Sequence, residues 1–281
     1  MTRKFAHEWT LRRTVMAFAA LMSLQATAAA GRELRVCGDP NNLPFSNRKL
    51  EGFENKIAAL IARDLHASVR YAWMPQRRGF FRRTLQAKEC DVVMGVPARL
   101  ERVASTRPYY RSTYVFVSDH KKGLKIKSFD DPILKQLKIG IHTIGADGAN
   151  TPPAHALAKR GIIGNVTGFP MWDIGSVKNP PGTIVDAVAK GNIDLAIIWG
   201  PFGGYFAKKH NGNLDVVPVP ESSAAISIPV SYDMSIGVRK GDDTLKDEIQ
   251  TVLDRRRREI HDILADYRVP LVEAEENTAA R

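Results

Sequence analysis

The sequence predicts an α/β protein, and three observations carry that expectation. The run at residues 34–37, Leu-Arg-Val-Cys, stops at Asp39-Pro40-Asn41-Asn42, residues that favour turns and cannot continue a central strand. Ile57, Leu60, Ile61 and Leu65 then recur at helical spacing, opposite Lys56, Arg63 and Asp64. Residues 193–199, ending at Trp199, form the most apolar run after residue 30, as a strand buried on both faces should. Sheets of this class bind ligands beyond the carboxyl ends of their strands, which places Asp39 and Asn42 at the mouth of a cleft. Taken alone, the same four residues read equally well as a plain turn.

The remaining elements follow in order. Residues 69–73 alternate as a strand and end at Met74-Pro75. Residues 79–88 read as a helix that offers Phe80, Phe81 and Leu85 to the core, with Arg77, Arg78, Arg82 and Arg83 crowded at its start. Such a cluster is either a solvated basic face or a place for carboxylates, and the pattern leaves both open. Residues 91–96 and 112–117 are buried-strand runs, and His120-Lys121-Lys122-Gly123 is a basic linker. Residues 138–141 form a strand, Thr151-Pro152 opens a helix that Gly161 stops, and residues 165–169 form a weak strand. A helix at 183–190 is closed by Gly191, and strands follow at 214–219 and 234–238. The last helix spans about 243–267, capped by Asp242 or Asp243 and striped by Leu245, Ile249, Val252, Leu253, Ile260, Ile263 and Leu264. Its stripe is weakest at residues 255–258. No 20–50-residue repeat is visible. Alternation of strands and helices over the whole length indicates α/β class.

Residues 1–30 stand apart. Arg3, Lys4, Arg12 and Arg13 precede an apolar stretch at 15–24 that is too short to span a bilayer, and small residues with an A-x-A pattern follow. This is the layout of a signal peptide for general secretion, so the mature chain is expected to be periplasmic, with no membrane span. The chain carries a net charge of +11; the leader holds four basic residues and Glu8, so its removal leaves +8. That charge is spread too thinly for a nucleic-acid binder, and it suits an acidic protein partner better.

Several stretches resemble the type II periplasmic solute-binding proteins in order and spacing. They are Asp39 through Pro44-Phe45, Gly52-Phe53-Glu54, Cys90-Asp91-Val92-Val93-Met94-Gly95, and Glu101-Arg102 through Pro108-Tyr109-Tyr110. Gly191-Asn192-Ile193-Asp194-Leu195-Ala196 and Ile236-Gly237-Val238-Arg239-Lys240-Gly241-Asp242 continue the likeness. Within that superfamily, Pro75-Gln76-Arg77-Arg78-Gly79-Phe80 and Thr106-Arg107-Pro108-Tyr109-Tyr110-Arg111 look like the MxaJ/XoxJ family, accessory to quinoprotein methanol dehydrogenases. The resemblance implies a type II periplasmic binding protein fold: two lobes, a central cleft and two crossover segments, near residues 118–123 and 219–233. Lobe 1 would comprise residues 31–119 and 231–272, lobe 2 residues 120–219, with 220–230 as the return crossover and 273–281 as a disordered tail. It also implies a dehydrogenase subunit as partner, with pyrroloquinoline quinone held by that enzyme and no cofactor on this chain.

Half of an amino-acid site is missing by the same comparison. Arg102, seven residues after Gly95, stands at the family's carboxylate-binding position, while Trp199 replaces the aspartate that would meet an ammonium group. Pro97 replaces the hydroxyl residue, and Ile144 through Pro153 replaces a small anion loop. Arg102 therefore reads equally as a surface arginine. The expected partner cleft comprises Asp39, Asn42, Arg78, Gly95, Pro97, Arg102 and Trp199, rimmed by Arg77, Arg82, Arg83 and Arg111. It would hold a segment of the dehydrogenase, a peptide or a small ligand; the alternative is a substrate-binding protein of an ABC transporter for a small organic solute. His142 and His155 do not make a metal motif, and no nucleophile–base pair is visible, so no enzyme activity is expected. Cys37 and Cys90 fall at neighbouring strands in a compartment that permits a disulfide. Cys37 lies late in its strand and Cys90 ahead of its own, an offset that leans toward two free thiols without excluding a bridge.

Overall fold

The computed structural model describes residues 31–144, 149–172, 179–221 and 228–273. The expected leader at 1–30, most of the glutamate-rich tail, the centre of the loop after Ile144 and part of the return crossover at 220–230 lie outside the described residues.

The strands, in chain order, are β1 (Glu33–Gly38), β2 (Asn41–Asn42), β3 (Ser46–Asn47), β4 (Ser68–Trp73), β5 (Val92–Pro97), β6 (Ala104–Ser105) and β7 (Tyr110–Asp119). They continue with β8 (Ile139–Ile144), β9 (Ala149–Asn150), β10 (Val166–Pro170), β11 (Leu195–Trp199), β12 (Leu214–Pro218) and β13 (Ser231–Val238). The helices are α1 (Phe53–Asp64), α2 (Phe80–Arg83), α3 (Pro152–Lys159), α4 (Thr183–Ala189), α5 (Gly200–Lys208), α6 (Asp243–Arg255) and α7 (Arg257–Asp266). One sheet runs β10-β8-β11-β7-β13-β5-β1-β4, with β2 and β3 in a separate hairpin. The protein is thus of α/β class with a central sheet, as expected.

β7 holds the sheet together. It pairs antiparallel with β13 from Tyr110 to Thr113, and with β11 and β12 from Tyr114 to Asp119. A single strand therefore passes from one half of the sheet to the other. Residues 118–123 hold the end of β7 and a one-turn 3-10 helix closed by Gly123. β11 is buried on both faces: Leu195 and Ile197 enter a cluster with Phe129, Leu134, Ile139 and Leu157, while Ala196 and Ile198 enter a larger one with Ile184, Val188 and Phe202. Helices cover both faces, which is why this strand reads as continuously apolar.

Three expectations are corrected. The helix foreseen at 79–88 ends at Arg83. Phe80, Leu85 and Cys90 all enter one buried cluster, and a five-residue spacing cannot keep three side chains on one helix face. The last helix is two, broken at Arg256, inside the weak part of its stripe. There Arg255 and Arg256 both turn to Asp64 of α1 at 2.7 Å, and this pair of guanidinium groups, Arg256 foremost, pulls the Asp64 carboxyl down to about 2. The lean toward free thiols is overturned as well: Cys37 and Cys90 are joined, with Cα atoms 5.3 Å apart. A straight extension of β5 would have carried Cys90 away from Cys37; instead both thiols face the cluster of Phe80, Leu85, Val93 and Val96 on the same side of the sheet.

Helix α5 was not foreseen, and Gly200-Pro201 opens it. Proline is tolerated in the first helical turn, where its missing N–H would have no partner. Gly204 then lies against the Arg268 carbonyl, leaving no room for a Cβ.

Candidate functional site

Two cavities open at the carboxyl ends of these strands, and Pro97, the last residue of β5, lines both. The first is an apolar cavity of about 230 Å³. Pro97, Tyr114 of β7, His142 of β8, Trp199 at the end of β11 and Met234 of β13 line it, joined by Thr151, Met171, Phe202 and Tyr232. Trp199 packs edge-on to Tyr114 at 5.4 Å and to Tyr232 at 5.7 Å, and His142 meets Phe202 edge-on at 5.3 Å. The His142 Nε2 lies 3.0 Å from the Pro181 carbonyl, to which it donates. Burial holds this imidazole down to about 4, so at neutral pH it is uncharged. Burial likewise raises the Tyr114 and Tyr232 hydroxyls, so both remain protonated. No carboxylate lines the cavity among the described residues.

The second is a basin of about 660 Å³ with a different wall. Its floor is the buried cluster above the disulfide, namely Phe80, Val93 and Val96, with Phe81 and Leu100 half-buried beside it. Its rim carries Arg77, Arg78, Arg82 and Arg102, all exposed. Gly95 also lines it, at φ 53°, with the Glu54 carboxyl directly behind. Any Cβ at Gly95 would run into that carboxyl, so glycine is required there on two grounds. Glu54 is fully buried; desolvation first, and Asp39 second, push its carboxyl up to about 8.

The expected site is therefore divided. Pro97 and Trp199 meet in the apolar cavity, whereas Arg77, Arg78, Arg82, Gly95 and Arg102 belong to the basin. Asp39 and Asn42 line neither. The Asp39 carboxylate accepts from the backbone N–H groups of Asn41 at 2.9 Å and Gln76 at 2.6 Å, and Asn42 Nδ2 donates to the Gln76 side chain at 3.2 Å. Asp39-Pro40 leads into the β2–β3 hairpin, and Asp39 and Asn42 hold Gln76, which lines the basin. Arg83 is exposed outside the basin lining. Arg111 is no free rim cation, because it pairs with Glu221 at 2.9 Å and Asp233 at 3.2 Å.

Sequence reasoning missed Tyr114, His142, Tyr232 and Met234 as cavity residues. Five different strands or their ends bring them together with Pro97 and Trp199, and no local pattern marks such a set. The usable signal was positional, since Pro97 and Trp199 are the final residues of their strands.

Comparison with known proteins follows this geometry. Residues 34–268 match the bacterial extracellular solute-binding proteins, family 3. The chain is 31% identical over 251 residues to Protein MoxJ of Methylorubrum extorquens AM1, an alignment covering 85% of this chain and 81% of that one. The crystal structure of periplasmic binding protein XoxJ from Methylobacterium extorquens AM1 superposes with a TM-score of 0.71 at 36% identity, covering 86% of this chain and all of the other. MxaJ from Methlophaga aminisulfidivorans MPT gives a TM-score of 0.74 at 30% identity, over 85% of this chain and all of the other.

Proposed function

Since the chain belongs to the bacterial extracellular solute-binding proteins, family 3, and stands with its MoxJ, XoxJ and MxaJ relatives, we propose that it is a periplasmic accessory protein of a quinoprotein methanol dehydrogenase system. It binds the dehydrogenase subunit through the apolar cavity and aids its maturation or activation; it is a binding protein and not an enzyme. Residues 1–30 export it, and residues 31–119 with 231–272 form one lobe and 120–219 the other.

The observation that supports this reading is the loss of charge where an amino-acid binder needs it. A buried ammonium without a counter-charge is unfavourable by several kcal/mol. Here the position for its carboxylate partner holds Trp199, the neighbouring imidazole is neutral, and aromatic and sulfur-bearing side chains complete the wall. Such a wall suits an apolar side chain projecting from a protein partner. The exposed arginines beside it suit acidic residues flanking that anchor, and they act mainly on the association rate. Pull-down of the exported protein with the cofactor-free dehydrogenase subunit tests the reading: retention of the subunit supports it, and failure to retain it contradicts it. Calorimetry with the common L-amino acids is expected to give no binding in the micromolar range. Micromolar binding would turn the reading toward transport of a solute.

A further inference from the structure

The arginine basin differs from the other basic regions of the molecule. Several arginines elsewhere on the same half of the sheet are compensated within the fold. Arg35 and Arg239 share Asp91 at 2.6 and 2.7 Å, Arg111 bridges Glu221 and Asp233, and Arg63 reaches Glu259 at 2.9 Å. The guanidinium groups of Arg77, Arg78, Arg82 and Arg102 have no ion pair or hydrogen bond to any described residue, yet all four residues line one cavity. Gathering four like charges around one concave surface destabilises it unless an anion arrives from outside. The floor beneath them is not polar. It consists of Phe80 packed edge-on to Phe81 at 5.6 Å, with Val93, Val96 and Leu100, over a cross-link that fixes its shape.

We propose that this basin is a small-molecule binding site for a planar aromatic compound carrying two or more carboxylates. Guanidinium groups match carboxylates fork to fork and also stack on aromatic faces, so a rim of arginine selects a flat anion over a compact one. The apolar floor takes the ring, and the rim takes the charged edge. The basin shares Pro97 but not Trp199 with the apolar cavity, and the proposal does not depend on the dehydrogenase reading.

Calorimetry on the mature protein at low salt tests it with three probes: benzene-1,3,5-tricarboxylate, citrate and benzoate. Citrate keeps the three carboxylates without a flat body, and benzoate keeps the flat body with one charge. The tricarboxylate is expected to saturate with an affinity at least about tenfold tighter than either, equivalent to about 1.4 kcal/mol. Replacing Arg78→Gln and Arg82→Gln together is expected to weaken it at least tenfold while the melting temperature holds, whereas Trp199→Ala leaves it unchanged. Equal binding of citrate would overturn the proposal by reducing the basin to a diffuse positive field. Absence of saturation below about 5 mM, or loss of binding in Trp199→Ala but not in the arginine variant, would overturn it too. Complex formation with the dehydrogenase, measured without any of these probes, reports separately on the other reading.

Discussion

The apolar cavity and the arginine basin share Pro97 and differ in nearly everything else. The cavity around Trp199 is assembled from strands of both halves of the sheet and carries no charge at neutral pH, and its His142 already donates to the Pro181 carbonyl. The basin is built mainly from one continuous stretch, residues 76–102, and displays four cations without described partners. The difference teaches how one chassis can separate two tasks. Uncharged aromatic walls supply affinity through desolvation, while exposed like charges act over a distance and are screened by salt.

The largest effect expected from breaking the comparison concerns the basin floor. Replacing Cys37→Ser and Cys90→Ser removes a cross-link closing a loop of 53 residues, whose loss is worth about 4 kcal/mol in the chain-entropy view and ~2 kcal/mol or more in practice. Denaturant unfolding should show that loss together with a weakened basin. If the variant still folds, its aromatic cavity should keep its fluorescence from Trp199, since none of the residues lining it belongs to the disulfide cluster.

The next prediction uses the titrating groups behind each wall, which move in opposite directions. Glu54, behind Gly95, is raised from 4.5 to about 8 in the folded protein. The folded state therefore binds the proton more tightly, and this contribution to stability is full below pH 4.5 and lost as pH rises toward 8. His142, in the apolar cavity, is lowered from 6.5 to about 4, so its contribution is full above pH 6.5 and lost as pH falls toward 4. Unfolding free energy measured against pH should decline on the alkaline side by a few kcal/mol, and Glu54→Gln should flatten that decline while leaving the acid side intact. An unchanged alkaline slope in Glu54→Gln would place the titrating group elsewhere.

Much of this was legible in the sequence, for physical reasons that also mark where legibility ended. Strand β11 and helix α1 were readable because a two-sided burial and a single buried stripe each leave a periodic trace. The arginine cluster at 77–83 was readable because it is local. The disulfide was misjudged because relative strand positions do not describe how a chain bends as it enters a strand. The apolar cavity was mostly invisible, since Tyr114, His142 and Met234 each look like ordinary strand residues until register brings them together. Helix α2 stopped short because the cluster above the disulfide outweighed helix propensity over residues 84–88.

The smallest expected effect concerns the rim. Reversing Arg77→Glu and Arg78→Glu should slow association with the dehydrogenase about tenfold at low salt and reduce its salt dependence, with little change in dissociation rate. Stopped-flow or surface-based kinetics at two ionic strengths reads both quantities.

The most direct test of the cavity's role is the equilibrium affinity of Trp199→Ala for the cofactor-free dehydrogenase subunit, compared with the wild type at matched folding and two salt concentrations. The structure places Trp199 between Tyr114 and Tyr232 in an uncharged wall. An affinity weakened by ~2 kcal/mol or more, about thirtyfold, with an unaltered salt dependence, is the expected result. A folded Trp199→Ala protein that binds the subunit as tightly as the wild type would contradict it.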